Sequence, residues 1–523
     1  MEKQIESQSN EFDLYHFLFE ISMDSLEPKE VSQLYNFSEE LFIKYLPLIL
    51  SYTSSQDRGK YKFELFKTLV KIGSMSMKVL LRIMILHHNK NYCFCKSHDF
   101  LQYITYESSQ EEKEEAFSKE FECNLVNMII WNKNNYKEMK VIEEELNYQL
   151  EWIDKMYYNK QCEGSTLLVT NKLEEIRNIT NEIEIKEKEI VQYKWSLLIN
   201  PYFGEGELKG IRVMKKYSTT CAPVEFGLII KLNNKIKIKR VLYKKGDDLR
   251  VDLSAELSFH VFNCIWNKFI FKASPHIVNN EVIKPFAETY DVIPFNEGGL
   301  IEMVGCSNES PLCLTHTQLS CCIDGRTFEL YSSIPCNKCH QILEVSSWDL
   351  NDKMKLIASL SGGFVAGFVV GLRDRHLENM KFHLCTHRFV HIDFGYILNK
   401  KPYFDANRFA IPTVIRNELQ KTKVIIDNEI MNGWDAFISL STIGYLMLRR
   451  NVGFLTRIIS LLFSFDESFT DEAITQCLSH SFYLTLSEAT AVNTLIGHLQ
   501  VFSIQKMIKD SQHEILRWCR GLN

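Results

Sequence analysis

The residues best suited to chemistry lie in one stretch of 25 residues, from Gly371 to Gly395, which contains three acids and four histidines. Asp374 and Asn379 are five positions apart in Asp-Arg-His-Leu-Glu-Asn, and Asp393 follows in His-Ile-Asp-Phe-Gly. One carboxylate can accept a proton from a hydroxyl group, while a second carboxylate and an amide oxygen can hold a divalent cation. Phosphoryl transfer needs these functions together with a positive charge on the phosphates, and it needs no covalent intermediate. The stretch therefore indicates a phosphoryl-transfer site.

The offset between Asp374 and Asn379 equals that between the catalytic aspartate and the metal-binding asparagine in the His-Arg-Asp loop of protein kinases. The order of the three leading residues differs, because this sequence reads Asp-Arg-His. The stretch thus indicates a relative of the protein kinases and not an ordinary one. Residues 361–371, which precede the loop, are rich in glycine and valine and are predicted to form a core helix beneath it.

A candidate for the positive charge on the phosphates is Lys244, which lies in a region of strand patterns between about residues 200 and 305. Lys244 has the same parity in its predicted strand as Ile236, Ile238 and Leu242, so we expect its side chain on the apolar face. An inward lysine is costly unless a carboxylate or a phosphate meets it. Asp252 opens the next predicted helix, and a strand lysine with a helix acid resembles the pair that positions ATP phosphates in kinases. A solvent-exposed lysine at a strand end is the alternative reading.

The first 195 residues have a helical pattern. Ile142, Leu146, Leu150 and Ile153 recur at helical spacing, and charged residues lie between such positions. A helical scaffold is the interpretation that we favour, and a coiled-coil partner site over 139–195 is the alternative. Pro47 is expected to kink or end the helix around it. The segment 200–206, Asn-Pro-Tyr-Phe-Gly-Glu-Gly, breaks the pattern and predicts a domain boundary.

Composition narrows the class of protein. The chain has 523 residues, enough for two or three domains, and its formal net charge of -6 gives no basic field for nucleic acid. We find no apolar run long enough for a transmembrane span and no signal-peptide pattern at the N-terminus. The 15 scattered cysteines are typical of reduced, buried thiols, so we expect a cytoplasmic protein.

Three motifs in order resemble the phosphatidylinositol 3-/4-kinase superfamily. They are Gly-Asp-Asp-Leu-Arg at 246–250, Asp-Arg-His-Leu-Glu-Asn at 374–379, and His-Ile-Asp-Phe-Gly-Tyr-Ile-Leu at 391–398. Leu377 and Tyr396 are most similar to the class III phosphatidylinositol 3-kinases of the vacuolar-sorting type. The resemblance implies an α+β, bilobal, protein-kinase-like lipid kinase domain over 196–523, with a small lobe at 196–305 and a large lobe at 306–523. Residues 1–195 would form a helical accessory (PIK-like) domain, shortened because no strand-rich counterpart of the family's usual C2 domain precedes it.

The same resemblance implies roles for individual residues. The ATP-binding group comprises Thr219, Thr220, Lys244, Asp252, Tyr290, Glu302 and Val304. In this group Lys244 would bind phosphates, the threonines would lie in the phosphate loop, and 302–304 would be the hinge that reads adenine through its backbone. Asn379 and Asp393 would hold Mg²⁺ or Mn²⁺. Asp374 and His376 would handle the proton of the attacking hydroxyl, and the sequence leaves open which of them is the base.

His391 would steady the transferring phosphoryl group, although a single histidine near an apolar strand is more often a packed core residue. The implied activity is phosphorylation of phosphatidylinositol at the 3-hydroxyl, with substrate choice in the segment 393–413. That segment has only Lys400, Lys401 and Arg408 as cationic residues, which suits an unphosphorylated headgroup. The implied setting is endosomal, vacuolar or autophagic membranes, with a regulatory protein-kinase-like subunit of the vacuolar sorting complex as partner.

The sequence is also compatible with other functions. A phosphatidylinositol 4-kinase, a phosphatidylinositol-kinase-like protein Ser/Thr kinase and a catalytically dead scaffold share parts of the motifs. A four-thiolate zinc site could form from Cys321, Cys322, Cys336 and Cys339, although adjacent cysteines depart from the usual ligand spacing. The terminal segment 504–520 combines apolar residues with lysine and arginine, which suits either shallow membrane insertion or plain packing.

Overall fold

A computed structural model describes residues 12–21, 26–54, 59–87, 136–170, 172–185, 190–192, 200–203, 206–217, 222–270, 276–278, 281–295, 297–303, 345–375, 379–383, 386–398, 400–402, 411–426, 429–466 and 468–500. The chain divides into two compact units. The first, called the sheet unit, takes in His16–Leu253 and Asp291–Met303. The second, called the α7 unit after helix α7 (Leu350–Val369), takes in Met1–Tyr15, Ser254–Tyr290 and Val304–Asn523.

The sheet unit is organised by a seven-stranded sheet. Its strands are β1 (Thr166–Leu168), β2 (Ile190–Gln192), β3 (Glu207–Lys216), β4 (Val224–Leu232), β5 (Lys235–Lys245), β8 (Val292–Phe295) and β9 (Gly298–Glu302). The spatial order is β2-β1-β3-β4-β5-β9-β8, and every pair except β1–β2 is antiparallel. The turn between β4 and β5 uses Asn233 and Asn234 at φ 50° and 61°, a left-handed conformation that asparagine tolerates.

Helices of the sheet unit lie mostly in the N-terminal part of the chain. They are a 3₁₀ helix (Pro28–Asn36), α1 (Glu39–Ser54), α2 (Gly59–Met75), α3 (Met77–His87), α4 (Tyr136–Tyr158) and α5 (Leu173–Glu182). Of the two outcomes expected at Pro47, the helix does not end there, since α1 continues through it. Phe42, Tyr45, Leu46 and Ile49 are all buried, so packing on one side of the helix outweighs the lost backbone hydrogen bond.

The helical expectation for residues 1–195 misses two strands. β1 and β2 both precede residue 196 and extend the sheet beside β3. Ile190 therefore belongs to a strand and not to a helical stripe, while Ile176 packs in a small core with Leu168 and Ile229. Strands of three residues are too short to show a period in the sequence. The boundary at 195/196 stays a prediction.

The α7 unit is mainly helical with short hairpins. Its helices are α6 (Leu249–Phe269, from Ser254 onward), a 3₁₀ helix (Val345–Ser347), α7, α8 (Thr413–Lys421), α9 (Gly433–Arg450), α10 (Val452–Leu462), α11 (Asp471–Ser481) and α12 (Glu488–Gln500). Its hairpins are β6–β7 (His276–Val278, Glu281–Ile283), β10–β11 (Met380–His383, Arg388–His391) and β12–β13 (Lys423–Ile426, Glu429–Asn432). Among the described helices, none combines the length and the apolar character that crossing a bilayer would require.

Helix α7 is the centre of its unit. Asp349 caps its start by accepting a hydrogen bond from Asp352 N at 2.8 Å, and every residue from Ser359 to Val369 is buried. At Gly362 a Cβ atom would lie 2.2 Å from the Phe286 carbonyl carbon, so only glycine allows this close approach. The predicted core helix over 361–371 is confirmed up to Val369, and the loop that carries the candidate residues follows it directly.

Candidate active site

Eight of the twelve predicted site residues lie in the part of the chain that the structure describes. Lys244, Asp252 and Glu302 belong to the sheet unit, and Tyr290, Asp374, Asn379, His391 and Asp393 belong to the α7 unit. Thr219, Thr220, Val304 and His376 lie outside the described residues, as do Leu377, the four cysteines of the zinc hypothesis and the segment 504–520.

Lys244 lies near the end of β5, with 18% of its side chain exposed and its Nζ 3.9 Å from Asp247 Oδ2. The expected face was wrong in one respect. Val241 and Tyr243, of the opposite parity, are the fully buried residues of β5, because α4 packs against that face. Lys244 therefore points to the half-buried face. Its strand fits closely against β9, where a Cβ atom on Gly298 would lie 2.0 Å from the Lys244 carbonyl oxygen.

Asp252 occupies the first turn of α6 and is buried. The turn before it is held by Asp248, which accepts hydrogen bonds from the Arg250 backbone N–H at 3.1 Å and from the Arg250 guanidinium at 2.8 and 2.6 Å. An acid in the first helical turn is favoured by the helix dipole. The Gly-Asp-Asp-Leu-Arg motif thus acts as a helix-starting turn that sets the position of Asp252.

The end of β9 carries the predicted hinge. Glu302 donates its backbone N–H to Asp291 O at 2.8 Å, and its side chain pairs with Lys239 Nζ at 2.8 Å. Met303 N–H donates to Arg240 O at 3.2 Å. The Glu302 side chain is thus engaged in contacts within the sheet unit. Hydrogen bonds to an adenine base would therefore come from backbone N–H and C=O groups.

Tyr217 precedes the predicted phosphate loop and is anchored on both sides. Its N–H donates to Pro223 O at 2.9 Å, and its hydroxyl donates to the buried Glu225 at 2.7 Å. Glu225 also accepts a hydrogen bond from Arg240 Nε at 2.5 Å. Burial, followed by the nearby Glu225 carboxylate, raises the pKa of Tyr217, so the phenol keeps its proton.

In the α7 unit, Arg375 joins the two predicted catalytic segments. Its guanidinium is buried and donates to the carbonyl oxygens of Arg373 at 2.8 Å, Asn379 at 3.2 Å and Ile392 at 2.8 Å. It also donates to the carbonyl oxygen of Asp393. One cation therefore links the loop at Arg373 to the Asn379 and Asp393 backbones, with the planar fork of donors that only arginine provides. The Ile392 N–H also joins these two segments by donating to Asn379 O at 3.1 Å.

The side chains of this pair face different environments. Asn379 is buried and donates from Nδ2 to Asp374 O at 3.0 Å, so the side-chain oxygen is its remaining acceptor. Asp393 is exposed, and its Oδ1 accepts the Gly395 N–H at 3.3 Å. Asp374 and Asp393 both have left-handed backbones, at φ 58° and 62°. Such conformations cluster at functional loops, where the surroundings hold them.

A divalent cation fits these donors. Asp393 supplies a carboxylate and Asn379 an amide oxygen, which are the hard oxygen ligands that Mg²⁺ and Mn²⁺ prefer. Two protein ligands are usual for Mg²⁺ bound together with substrate phosphates. Among the described residues, no group of three or more His, Cys, Asp and Glu side chains could hold a metal ion by itself.

His391 lies in the core of the α7 unit. It is 2% exposed, and its ring makes edge-to-face contacts with Phe389 at 4.8 Å and Phe364 at 5.4 Å between centroids. Burial, followed by the charge of Arg375, holds its pKa well below the usual value, so the ring is neutral. This is the position of a packed histidine, and its contact with a phosphoryl group stays a prediction.

Phe394, in the Asp-Phe-Gly triplet, is buried and packs against Tyr290 and Phe259, with centroids 6.3 and 5.5 Å away. Tyr290 is itself buried, and its backbone N–H donates to Glu256 Oε2 at 3.2 Å. These contacts tie the segment after Asp393 to the end of the 284–290 stretch within the same unit.

Sequence reasoning missed the anchoring residues. Arg375 lies between two predicted site residues, Asp374 and His376, and this position inside the motif could have indicated its importance. Glu225 in a strand had no such signal, because its partner lies on the next strand. Asp154 and Lys245, which form an ion pair at 2.7 Å, are 91 positions apart in the sequence.

Comparison with known proteins identifies the class of domain. Residues 330–469 match the family model described as phosphatidylinositol 3- and 4-kinase, and this range contains Asp374, Asn379 and Asp393. Residues 330–469 therefore match a phosphatidylinositol 3-/4-kinase domain, and the mixed α/β architecture is that of a protein-kinase-like lipid kinase fold. The predicted fold class is confirmed.

Individual relatives are distant. A probable phosphatidylinositol 3-kinase VPS34 homolog of Encephalitozoon cuniculi is 23% identical over 54% of this chain and 58% of its own length. The phosphatidylinositol 3-kinase VPS34 of Candida glabrata is 23% identical over 70% of this chain and 39% of its own length. Phosphatidylinositol 4-kinase alpha 1 of Arabidopsis thaliana is 26% identical over 50% of this chain and 12% of its own length. The chain thus spans less than two thirds of each of these relatives.

Proposed function

We propose that this chain transfers the γ-phosphate of ATP to the 3-hydroxyl of phosphatidylinositol. The observation that carries the proposal is the Arg375 guanidinium, which holds the backbones of Asn379 and Asp393 together beside Asp374. Those three residues have the types needed to accept a proton and to ligate a cation. They lie in the range that matches the kinase family model.

The residues divide the work as follows. Lys244, oriented by Asp252, neutralises phosphate charge on ATP, and the backbone of 302–304 reads adenine. The loop that begins after Tyr217, with Thr219 and Thr220, covers the phosphates. Asn379 and Asp393 hold Mg²⁺ or Mn²⁺, which when bound neutralises charge on the phosphates. Asp374 or His376 accepts the proton of the attacking inositol hydroxyl.

An unphosphorylated headgroup is supported by the segment that follows Asp393. Lys400 is not directed at a ligand, because its Nζ lies 2.8 Å from Ser468 Oγ, 3.7 Å from Asp466 and over the Phe469 ring. One of the few cations in the segment is thereby neutralised within the α7 unit. A headgroup that carries extra phosphates would need more free positive charge there.

Transfer to the 3-position is supported by the resemblance of Leu377 and Tyr396 to class III enzymes and by the names of two relatives. Transfer to the 4-position is the second candidate, favoured by the plant relative named as a 4-kinase. We further propose that the protein acts peripherally on endosomal, vacuolar or autophagic membranes, with a regulatory subunit of the vacuolar sorting type as partner.

The position of the new phosphate tests the proposal. The chain is incubated with labelled ATP, Mg²⁺ or Mn²⁺ and liposomes that contain phosphatidylinositol, its 4-phosphate or its 4,5-bisphosphate, and the deacylated products are separated by chromatography. We expect phosphatidylinositol 3-phosphate from the first liposomes and little product from the others. The 4-phosphate would support the second candidate, and a labelled protein without labelled lipid would overturn both.

A further inference from the structure

The last turn of helix α4 and the residues after it contact two interior strands of the sheet unit, both at the same end of the sheet. One strand is β5, which carries Lys244, and the other is β3, which leads through Tyr217 into the predicted phosphate loop. α4 belongs to the part of the chain before residue 196, for which the sequence favoured a scaffold. Its contacts with the two strands are specific and charged.

On β5, the contacts flank Lys244 on the face opposite to it. Asp154 accepts hydrogen bonds from Tyr243 Oη at 2.6 Å and from Lys245 Nζ at 2.7 and 3.0 Å. Lys245 Nζ also lies 4.7 Å from the centre of the Tyr158 ring. Burial alone would lower the pKa of Lys245, but its hydrogen bonds to Asp154 and Tyr158 outweigh burial and raise it. The ammonium therefore stays charged.

On β3, Lys216 is held at the strand's last position. Its Nζ donates to the carbonyl oxygens of Tyr157 and, at 3.1 Å, of Asn159, where α4 ends. Its backbone N–H donates to Glu163 Oε1 at 3.0 Å. A cation at the carbonyl end of a helix is favoured by the helix dipole and satisfies carbonyls that have no partner inside the helix.

We propose that Asp154, at the end of α4, positions Lys244 for nucleotide binding, while Tyr157, Asn159 and Glu163 fix the neighbouring end of β3. The proposal rests on the nucleotide role proposed above for Lys244. Successive side chains of a strand point to opposite faces, so fixing Tyr243 and Lys245 on one face sets the direction of Lys244 on the other. Asp154 and its neighbours are then positioning residues, since they act through the strand and not on the ligand.

Replacing Asp154 with asparagine tests this role. Asp154→Asn keeps the size of the side chain and removes the charge that holds Lys245. We expect the Kd for a non-hydrolysable ATP analogue with Mg²⁺, measured by calorimetry, to rise roughly 3- to 30-fold, the range of coupling between connected sites. Asp154→Glu should return the Kd to within about threefold of wild type, because it restores the carboxylate. Lys245→Gln removes the same ion pair from the strand side and should weaken binding similarly.

Glu175→Gln is the matched control. It removes one of the two carboxylates that meet Lys209, a lysine at the other end of β3 that is 2% exposed and lies 2.6 Å from Glu175 and 3.0 Å from Glu207. This variant should lose stability but leave the Kd unchanged, which separates positioning from general loosening of the sheet unit. A second readout is the rate at which Lys244 reacts with an adenosine-based sulfonyl fluoride, followed by mass spectrometry, which should fall in Asp154→Asn and not in the control.

The outcomes separate the two proposals. If wild type binds the analogue and both Asp154→Asn and Lys245→Gln bind it equally well, the positioning role is overturned and the kinase proposal stands. Equal weakening by Glu175→Gln would also overturn it. If wild type binds no ATP analogue, the nucleotide role of Lys244 fails, and the positioning role fails with it.

Discussion

The two groups of candidate residues are held by different means. In the sheet unit, Lys244 is placed by strand register, and the side chains around its strand are fixed by ion pairs such as Lys245–Asp154 and Arg240–Glu225. In the α7 unit, Asp374 and Asp393 lie in left-handed loop conformations. Arg375 donates to the carbonyl oxygen of Asp393, and Asn379 Nδ2 donates to that of Asp374. The first arrangement depends on pairs of opposite charges and the second on one cation with many neutral acceptors.

This difference predicts how each region responds when one of its anchoring residues is replaced. An ion pair between strands can lose one partner while the sheet hydrogen bonds remain, so the side chain it directs shifts by a limited amount. The loops of the α7 unit flank the β10–β11 ladder, where Ile392 N–H donates to Asn379 O at 3.1 Å, but their left-handed residues lie outside that ladder. Loss of Arg375 therefore removes several hydrogen bonds to loop carbonyls together. Substitutions of the anchoring residue Arg375 should therefore reduce turnover more than substitutions of the ion-paired residues around β5, which should act on nucleotide affinity and on stability.

The largest effect is expected for Asp393→Ala. The change removes the exposed carboxylate of the cation site, so kcat should fall roughly 10³-fold or more while the thermal unfolding midpoint stays near that of wild type. Lipid phosphorylation and calorimetry measure the two quantities. Asp471→Ala, which removes an exposed acid from the start of α11, should keep the wild-type rate. Near-normal turnover in Asp393→Ala would contradict the cation site.

Arg375→Ala should have the next largest effect. Loss of four donated hydrogen bonds should lower kcat roughly 10²-fold, because the loop at Arg373 and the Asp393 backbone lose their common anchor, although Asn379 keeps its bond from Ile392 N–H. Arg375→Lys should recover only part of the rate, since an ammonium cannot form the planar fork. Arg388→Ala, which removes a more exposed arginine paired with Glu288 at 3.1 Å, serves as the control. Full activity in Arg375→Ala would show that the loops keep their conformation without the Arg375 guanidinium.

The ion pairs of the sheet unit predict an effect of pH on stability. Burial alone would raise the pKa of Glu175, but hydrogen bonds from Lys209 and Thr170 outweigh it and the pKa is lowered. The unfolded chain therefore binds a proton first as the pH falls below about 4.5, and stabilisation by this pair is lost as the pH falls further through the folded pKa. Glu175→Gln should cost about 2–4 kcal/mol at pH 7 and progressively less in acid.

Urea unfolding at pH 7 and at pH 3.5 measures this prediction. The difference in the free energy of unfolding between wild type and Glu175→Gln should shrink at the lower pH. A difference that is constant across this range would mean that the Glu175 carboxylate is not stabilised by Lys209 in the folded chain.

The smallest effect is expected at the hinge. The Glu302 side chain pairs with Lys239, so Glu302→Gln should change the KM for ATP by less than about threefold if adenine is read by backbone groups. Steady-state kinetics at varied ATP concentration measures this value. A tenfold change would instead assign the side chain itself to nucleotide recognition.

Sequence reasoning reached the chemistry of the site because the chemistry depends on residue type at fixed local spacing. Asp374 and Asn379 are five positions apart, and the strand that ends at Lys244 has a clear apolar pattern. The core helix before the loop was also predictable, since a long apolar run in a globular protein must be buried. The fold class followed from the resemblance that these motifs carry.

The remaining features depend on contacts between distant parts of the chain. The buried face of β5 was misjudged because α4, more than 75 positions earlier, covers the face of Tyr243, and periodicity within one strand cannot show which face is covered. The burial of His391 between Phe364 and Phe389 likewise needs the tertiary structure. Strands as short as β1 and β2 carry too few residues for a period.

The most direct test of the central claim is phosphate transfer from ATP to phosphatidylinositol by wild type, Lys244→Met and Asp374→Asn, assayed side by side under identical conditions. We expect labelled lipid from wild type and a loss of roughly 10²-fold or more from each variant, because Lys244 is proposed to neutralise phosphate charge and Asp374, with His376, to handle the hydroxyl proton. Circular dichroism and thermal unfolding establish that each variant is folded. Labelled lipid at the wild-type level from either folded variant would contradict the claim.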